Sequence, residues 1–196
     1  MKNILTLVSG NGTNLQALID AERQSGLGQG TIAVVISDKL NVFALERAEN
    51  AGIPAFTLLP DKNLPKQERR LDLSNRILAK ALALQIDFIV CAGFLSILSG
   101  DIIAVYASRM INIHPSLLPK FGGQGMYGEK VHRAALDAGE RESGCTVHFV
   151  DAGADTGQII LQRIVPVFSN DTPQTLAERI HVQEHAAIVE AVRRLV

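Results

Sequence analysis

The chain of 196 residues is long enough for one domain that buries roughly 70% of its unfolded surface, and too short for a second complete one. Nineteen basic residues stand against twenty acidic ones, so no overall field draws the protein to nucleic acid or an anionic membrane, and a small polar ligand fits better. No run is long and apolar enough to span a bilayer, and the opening Met1 to Val8 lacks the features of a secretory signal, so a cytoplasmic protein is expected. Cys91 and Cys145 lie in apolar runs without metal-ligand spacing, as buried free thiols of a reducing compartment do.

Asn3 to Val8 is apolar and β-branched, Ser9 to Gly12 turns the chain, and Asn14 to about Arg23 is amphipathic, which predicts strand, turn and helix. Thr31 to Ile36 reads as a buried strand, Val42 to Asn50 as a helix ended by Gly52 and Pro54, and Ala55 to Leu59 as a third strand. Lys66 to Leu84 carries Leu71, Ile77, Leu78, Ala81 and Leu82 at helical spacing, and Asp87 to Cys91 follows as a strand. A short helix near Ser99 to Tyr106 leads into an apolar run that ends at His114, because Pro115 has no N–H to give a central ladder. Glu129 to Ala138 predicts a helix, and Cys145 to Val150 and Ile159 to Val167 two strands. The final helix takes Thr172 as cap and Pro173 at its first position. Strands alternating with helices predict an α/β fold, a mostly parallel twisted sheet with helices on both faces. We expect a single domain over 1–196, with a nucleotide-phosphate-binding half at about residues 1–100. Ligands of such sheets bind outside the carboxyl ends of the strands, where strand order reverses.

Three stretches carry chemistry. Gly10-Asn11-Gly12-Thr13-Asn14 lies between the first strand and first helix, where glycines admit an anion to backbone N–H groups. A dinucleotide fingerprint needs a third glycine where Leu15 stands, which weakens that reading; Asp38 ends the second strand as a ribose ligand does, and as many strand-end aspartates do. Asn112 and His114 are two apart at a strand end, so both point to one face at the mouth of a cleft. A developing oxyanion in a cleft needs an aimed donor, and a proton in transfer needs a group to carry it. An amide and an imidazole with a carboxylate beside the ring supply both, and Asp151 and Asp155 are the carboxylates downstream.

Five strings stand in order: SGNGTNLQ at Ser9 to Gln16, AGFLSIL at Ala92 to Leu98, NIHPSLLP at Asn112 to Pro119, GCTVHFV at Gly144 to Val150 and DTGQIILQ at Asp155 to Gln162. Together they resemble the glycinamide ribonucleotide formyltransferases of purine synthesis, over nearly the whole chain. The resemblance implies a Rossmann-like formyltransferase fold and transfer of a formyl group from 10-formyltetrahydrofolate to the amine of glycinamide ribonucleotide (GAR). Attack by the amine is direct, without an enzyme nucleophile and without a metal. On matching positions it implies His114 as catalytic acid, Asn112 as carbonyl-polarising partner and Asp155, in its aspartate-x-glycine pattern, as the group that tunes the histidine. If Asp155 lies against His114, its charge should raise the imidazole pKa.

By the same resemblance Gly12, Thr13, Asn14 and Leu15 hold the GAR phosphate, and Glu184 of Gln183-Glu184-His185 reaches the ribose. Leu95, Ser96, Ile97, Leu98 and Asn112 line the formyl-folate site; the apolar run with its glycine also suits a flat pterin. Ser96 stands where many relatives carry arginine. Arg70 is the nearest match to a folate-contacting basic residue, with Arg69 and Lys66 in competition. His148 reads as a strand residue near the site, and His132, His181 and His185 follow no metal-binding pattern. The glycine-rich loop Phe121 to Gly128 is either a lid or a passive surface loop. No nucleic-acid or membrane partner is expected, and the protein is expected as a monomer or homodimer. A formyltetrahydrofolate hydrolase and a non-catalytic nucleotide-binding module remain as alternatives. The related tRNA enzyme carries a further C-terminal domain and the hydrolases a regulatory N-terminal one, neither of which is expected here.

Overall fold

A computed structural model describes all residues 1–196. Seven strands and six helices follow in the order β1 (Lys2–Val8), α1 (Thr13–Ser25), β2 (Gly30–Ser37), α2 (Phe43–Asn50), β3 (Ala55–Thr57), α3 (Lys66–Ala83), β4 (Phe88–Cys91), α4 (Asp101–Val105), β5 (Met110–His114), α5 (Glu129–Asp137), β6 (Glu142–Phe149), β7 (Ile159–Pro166) and α6 (Pro173–Leu195). They form one sheet of order β3-β2-β1-β4-β5-β6-β7. The strands from β3 to β5 pair in parallel, and β6 and β7 add on antiparallel. From β1 the chain builds outward through β2 and β3, then returns to start β4 on the other side of β1. Strand order therefore reverses between β1 and β4, where a ligand cleft is expected.

The central parallel strands β1, β2, β4 and β5 are largely buried on both faces, so their side chains divide by the period of two. In β1, Ile4 and Val8 join an apolar cluster with Val35, Val90, Ile111 and Val147 under α1, α2, α5 and α6. Leu5 and Leu7 point the other way, with Val34, Ile36, Ile89 and Met110 under α3 and α4. No helix is long and apolar enough to cross a membrane.

Three boundaries differ from expectation. The third strand stops at Thr57, and the helix before β5 is confined to Asp101–Val105. β6 begins at Glu142, earlier than expected, because Ser143 and Gly144 read locally as turn residues. The backbone of β7 comes so close there that a Cβ on Gly144 would lie 1.9 Å from the carbonyl oxygen of Arg163. Glycine within this strand marks a close approach, not a break. At α6, Thr172 Oγ1 accepts from the N–H of Thr175 at 3.2 Å and Thr175 Oγ1 from the N–H of Thr172 at 2.9 Å, with Pro173 opening the helix.

Tyr106 sits at the base of the α3/α4 layer, 1% exposed, and donates its hydroxyl to the carbonyl of Ile86 at 3.0 Å. Tyr106→Phe keeps the ring and leaves that carbonyl without its donor, which is expected to cost about 1–2 kcal/mol. Urea unfolding should show a lower midpoint at unchanged slope; an unchanged midpoint would mean the bond adds nothing to stability.

Candidate active site

The carboxyl ends of β1, β2, β4 and β5 open on a cleft of about 1600 Å³. At one end lies the glycine turn. Gly12 has φ +77°, and a Cβ there would meet the Cβ and Cα of Ala44 at 2.6 and 2.8 Å, so α2 packs directly on the turn. Gly10 accepts from the N–H of Ala44 at 3.2 Å, and no side chain caps α1. The N–H groups of Thr13, Asn14 and Leu15 in its first turn have no intrahelical acceptor and stay available to an anion. Gly12, Thr13 and Asn14 line the cleft, but the Leu15 side chain is in the core and outside the lining, so only its backbone can serve a ligand.

Arg47 of α2 braces this turn, a contact that no local pattern in the sequence marks. Its Nε donates to the carbonyl of Asn11 at 2.9 Å, one terminal nitrogen to Asn11 Oδ1 at 2.9 Å and the other to Gln16 Oε1 at 3.0 Å. Glu184 of α6 closes the same end, 5% exposed, with its carboxyl pKa pushed up to about 7 by burial while Asn14 beside it favours the charged form. His181 Nε2 stands 3.7 Å from Glu184 Oε2.

The middle of the cleft is built by β5, β6 and two loops. β5 ends at His114 as Pro115 requires, and Asn112 and His114 face the cleft. The turn beyond is tied down by Thr146 of β6, whose Oγ1 donates to the carbonyl of Ser116 at 2.6 Å and accepts from the N–H of Leu118 at 3.0 Å. His114 Nε2 lies 2.8 Å from the carbonyl oxygen of Phe121. A carbonyl only accepts, so the Nε2 proton is fixed there and Nδ1 is the position left to exchange a proton. Nδ1 faces Asp155 Oδ2 at 3.5 Å.

Asp155 takes a left-handed backbone, φ +58°, in the loop between β6 and β7. Asp151, its rival, serves the loop itself. Its Oδ1 accepts from the N–H of Gly153 at 3.0 Å and the hydroxyl of Thr156 at 2.7 Å, folding the loop back on its own backbone. Gly157 lets the loop return against β6, since a Cβ there would lie 1.8 Å from the carbonyl oxygen of Phe149. The loop therefore aims Asp155 inward, where Oδ2 accepts from the N–H of Gly123 at 2.9 Å.

His148 is brought closer than sequence suggests. Its Nδ1 donates to the carbonyl of Phe149 at 2.8 Å, so Nε2 accepts from Asn112 Nδ2 at 3.1 Å, and the same Nε2 stands 3.6 Å from Asp155 Oδ1. Asn112 Nδ2 reaches Asp155 Oδ1 at 3.5 Å, so its donors already face the histidine and the carboxylate.

The expected rise of the His114 pKa is not what the surroundings produce. Burial lowers it most; Asp155 and the Phe121 carbonyl raise it, His148 lowers it, and the net is below the ordinary value. For Asp155, burial raises the pKa, but His148 when its Nε2 carries a proton, the charge of His114 and the N–H of Gly123 outweigh it, so the net shift is downward and the carboxylate is ionised at neutral pH.

The other end of the cleft is apolar. Leu95, Ser96, Ile97 and Leu98 line it with Phe94 and Val150, and Lys62, Lys66, Arg69 and Arg70 lie at its rim. Arg69 is committed to the carbonyls of Lys62 and Leu64 at 3.1 and 2.9 Å, whereas the Arg70 guanidinium has no protein partner. Of the candidates, Arg70 is thus freer than Arg69 to meet a ligand. Cys91 and Cys145 are buried, with thiol pKa values pushed up to about 12 by burial.

Residues 2–192 match the formyl transferase family model. The phosphoribosylglycinamide formyltransferase of Escherichia coli (strain K12) is 43% identical over 184 residues, covering 94% of this chain and 82% of that protein. The chain belongs to the formyl transferase family. Its fold is also that of a glycinamide ribonucleotide transformylase from Symbiobacterium toebii, with TM-score 0.88 at 41% identity, covering 98% of this chain and 86% of the other. The trifunctional purine biosynthetic protein adenosine-3 of Drosophila pseudoobscura pseudoobscura is 47% identical over 195 residues, but this formyl transferase chain spans only 14% of that protein.

The carboxylate opposite His114 gives a pH-dependent signature. Asp155→Asn removes a charge that raises the His114 pKa and leaves the burial that lowers it, so the imidazole should titrate lower than in the wild type. NMR titration of the ring protons reads this directly; an unchanged or higher value would mean that the Asp155 charge is not felt at His114.

Proposed function

We propose that this chain transfers a formyl group from 10-formyltetrahydrofolate to the amine of glycinamide ribonucleotide, giving the formylated ribonucleotide and tetrahydrofolate in purine synthesis. The observation that most supports this is the convergence of Asn112, His114 and Asp155 between an anion-receptive turn and an apolar slot. The phosphorylated amine and the flat formyl donor then meet where the proton-handling groups stand. A phosphate rests on the N–H groups of Gly12 to Leu15, Glu184 takes the ribose, and Leu95 to Leu98 receive the pterin, with Arg70 at the rim for its anionic tail. The reading implies a cytoplasmic enzyme of two small-molecule substrates.

Chemically, the amine attacks the formyl carbon, the new C–N bond forms, and the carbonyl oxygen becomes an oxyanion. Asn112 donates to that oxygen by turning an N–H away from His148 or Asp155. Collapse breaks the bond to the folate nitrogen, which leaves with a proton, while the amine gives one up. His114 Nδ1 is the exchangeable position for that proton, since Nε2–H is held by Phe121, and ionised Asp155 stabilises the ring while it is charged. Neither cysteine supplies a nucleophile, because thiols with pKa values near 12 hold almost no thiolate at neutral pH.

Purified protein with both substrates should yield formylated ribonucleotide by mass detection, and its absence would overturn the reading. His114→Ala should lower kcat by about 10²–10⁴-fold. Gly12→Ala forces a side chain into left-handed backbone and onto Ala44, so its main effect should be a higher KM for the ribonucleotide. Equal KM values would place the phosphate elsewhere.

A further inference from the structure

We infer that Asp38 is a positioning residue for the folate end of the cleft, acting through Ser96. This rests on the reading above that Leu95 to Leu98 receive the folate. The segment Gly93–Leu98 leaves β4 and runs along the cleft without helix or strand of its own. Side chains from two neighbouring strand ends hold it. Ser9, just after β1, donates its N–H to the carbonyl of Gly93 at 3.1 Å and accepts at Oγ from the N–H of Leu95 at 2.7 Å. Asp38, just after β2, accepts at Oδ2 from the hydroxyl of Ser96 at 2.6 Å.

These anchors differ in kind. Ser9 grips the backbone, so it fixes where the segment starts. Asp38 grips a side chain in its middle, between Leu95 and Ile97, which both line the cleft. A hydroxyl on a carboxylate at this length is a charge-assisted bond, roughly twice as strong as a neutral one. Asp38 is 5% exposed, and Ser96 is its only hydrogen-bond partner, since Oδ1 has none in the protein. A buried carboxylate with one partner is held to that partner, because giving it up leaves the charge with no donor. Ser96 therefore has one favourable place, and with it the apolar side chains on either side of it. The two anchors tie the folate segment to the ends of β1 and β2, the strands that flank the phosphate turn.

The test combines steady-state kinetics with calorimetry using tetrahydrofolate as probe. Ser96→Ala should raise both the KM for formyl-folate and the Kd for tetrahydrofolate about tenfold, with a far smaller effect on the KM for the ribonucleotide. Asp38→Ala should match it, and the double variant should add nothing, because both changes remove one interaction. Asp38→Asn keeps a neutral acceptor for Ser96 and should recover part of the loss. Unchanged folate binding in Ser96→Ala, or equal rises for both substrates, would overturn the inference. Wild-type protein that binds tetrahydrofolate but gives no product would instead overturn only the proposed reaction, since the calorimetric comparison still stands.

Discussion

The antiparallel register of β5 and β6 is the constraint on which the reactive centre depends. It sets Asn112 opposite His148 and His114 opposite Thr146. Directly opposed residues project to the same face, so the amide meets the second imidazole across the ladder and the first histidine meets the threonine that pins the following turn. Because the side-chain period is two, a slip of one residue would carry Val147 into the cleft and bury His148 in the core. The register is held from the opposite face, where Ile111, Ile113 and Val147 pack in one apolar cluster. The same hydrophobic packing that folds the sheet thus orients the polar groups.

Burial then sets the protonation of what the register has placed. Asp155 and Glu184 are both carboxyls drawn away from water, and they shift in opposite directions. Asp155 is surrounded by donors and partial positive charge, which more than offset desolvation; Glu184 has only Asn14 to favour its charged form, and desolvation prevails. One carboxylate is therefore firmly ionised and the other titrates near neutrality. Environments that push two like groups apart assign them different work: a permanent charge beside His114, and a group near the glycine turn that is free to donate or accept.

Much of the fold is legible in the sequence because its signals are local. Apolar runs of strand length, glycine turns and Pro115 place β1, β4 and β5 and leave Asn112 and His114 at a strand end. The reversal of direction at β6 leaves no such mark, nor does Gly144, whose role appears only when β7 lies against it. The contacts that finish the site are long-range: Ser9 meets Leu95 across 86 positions and Asp38 meets Ser96 across 58. No spacing rule reaches that far. Local pattern alone leaves Asp151 beside Asp155; the resemblance favours Asp155 by its aspartate-x-glycine match, and the path of the loop, with Asp151 turned back on Gly153 and Thr156, supplies the physical reason. The direction of the His114 shift escapes the sequence for a related reason. Spacing and motif name the charge that raises the pKa, but not the depth of burial that outweighs it.

The polar groups of the centre are satisfied by one another before any substrate arrives. Asn112 donates to His148, His114 to Phe121, and Asp155 accepts from Gly123. The bonds of His114 and Asp155 run to the backbone of the glycine-rich segment after β5, so this segment is neither passive nor remote; it fixes the tautomer of the histidine and part of the charge of the aspartate. Preorganised donors stabilise a transition state because they need not reorient as charge develops. His114 and Asp155 share that fixed orientation, though as acceptors, since their backbone bonds hold both side chains and leave Nδ1 and Oδ1 free of a strong partner. Asn112 does not, because its amide must release a partner before it can meet an oxyanion. Its contacts to Asp155 at 3.5 Å and His148 at 3.1 Å rank the choice: the longer is the weaker bond, so the N–H facing Asp155 is the one more readily released to another acceptor in the cleft.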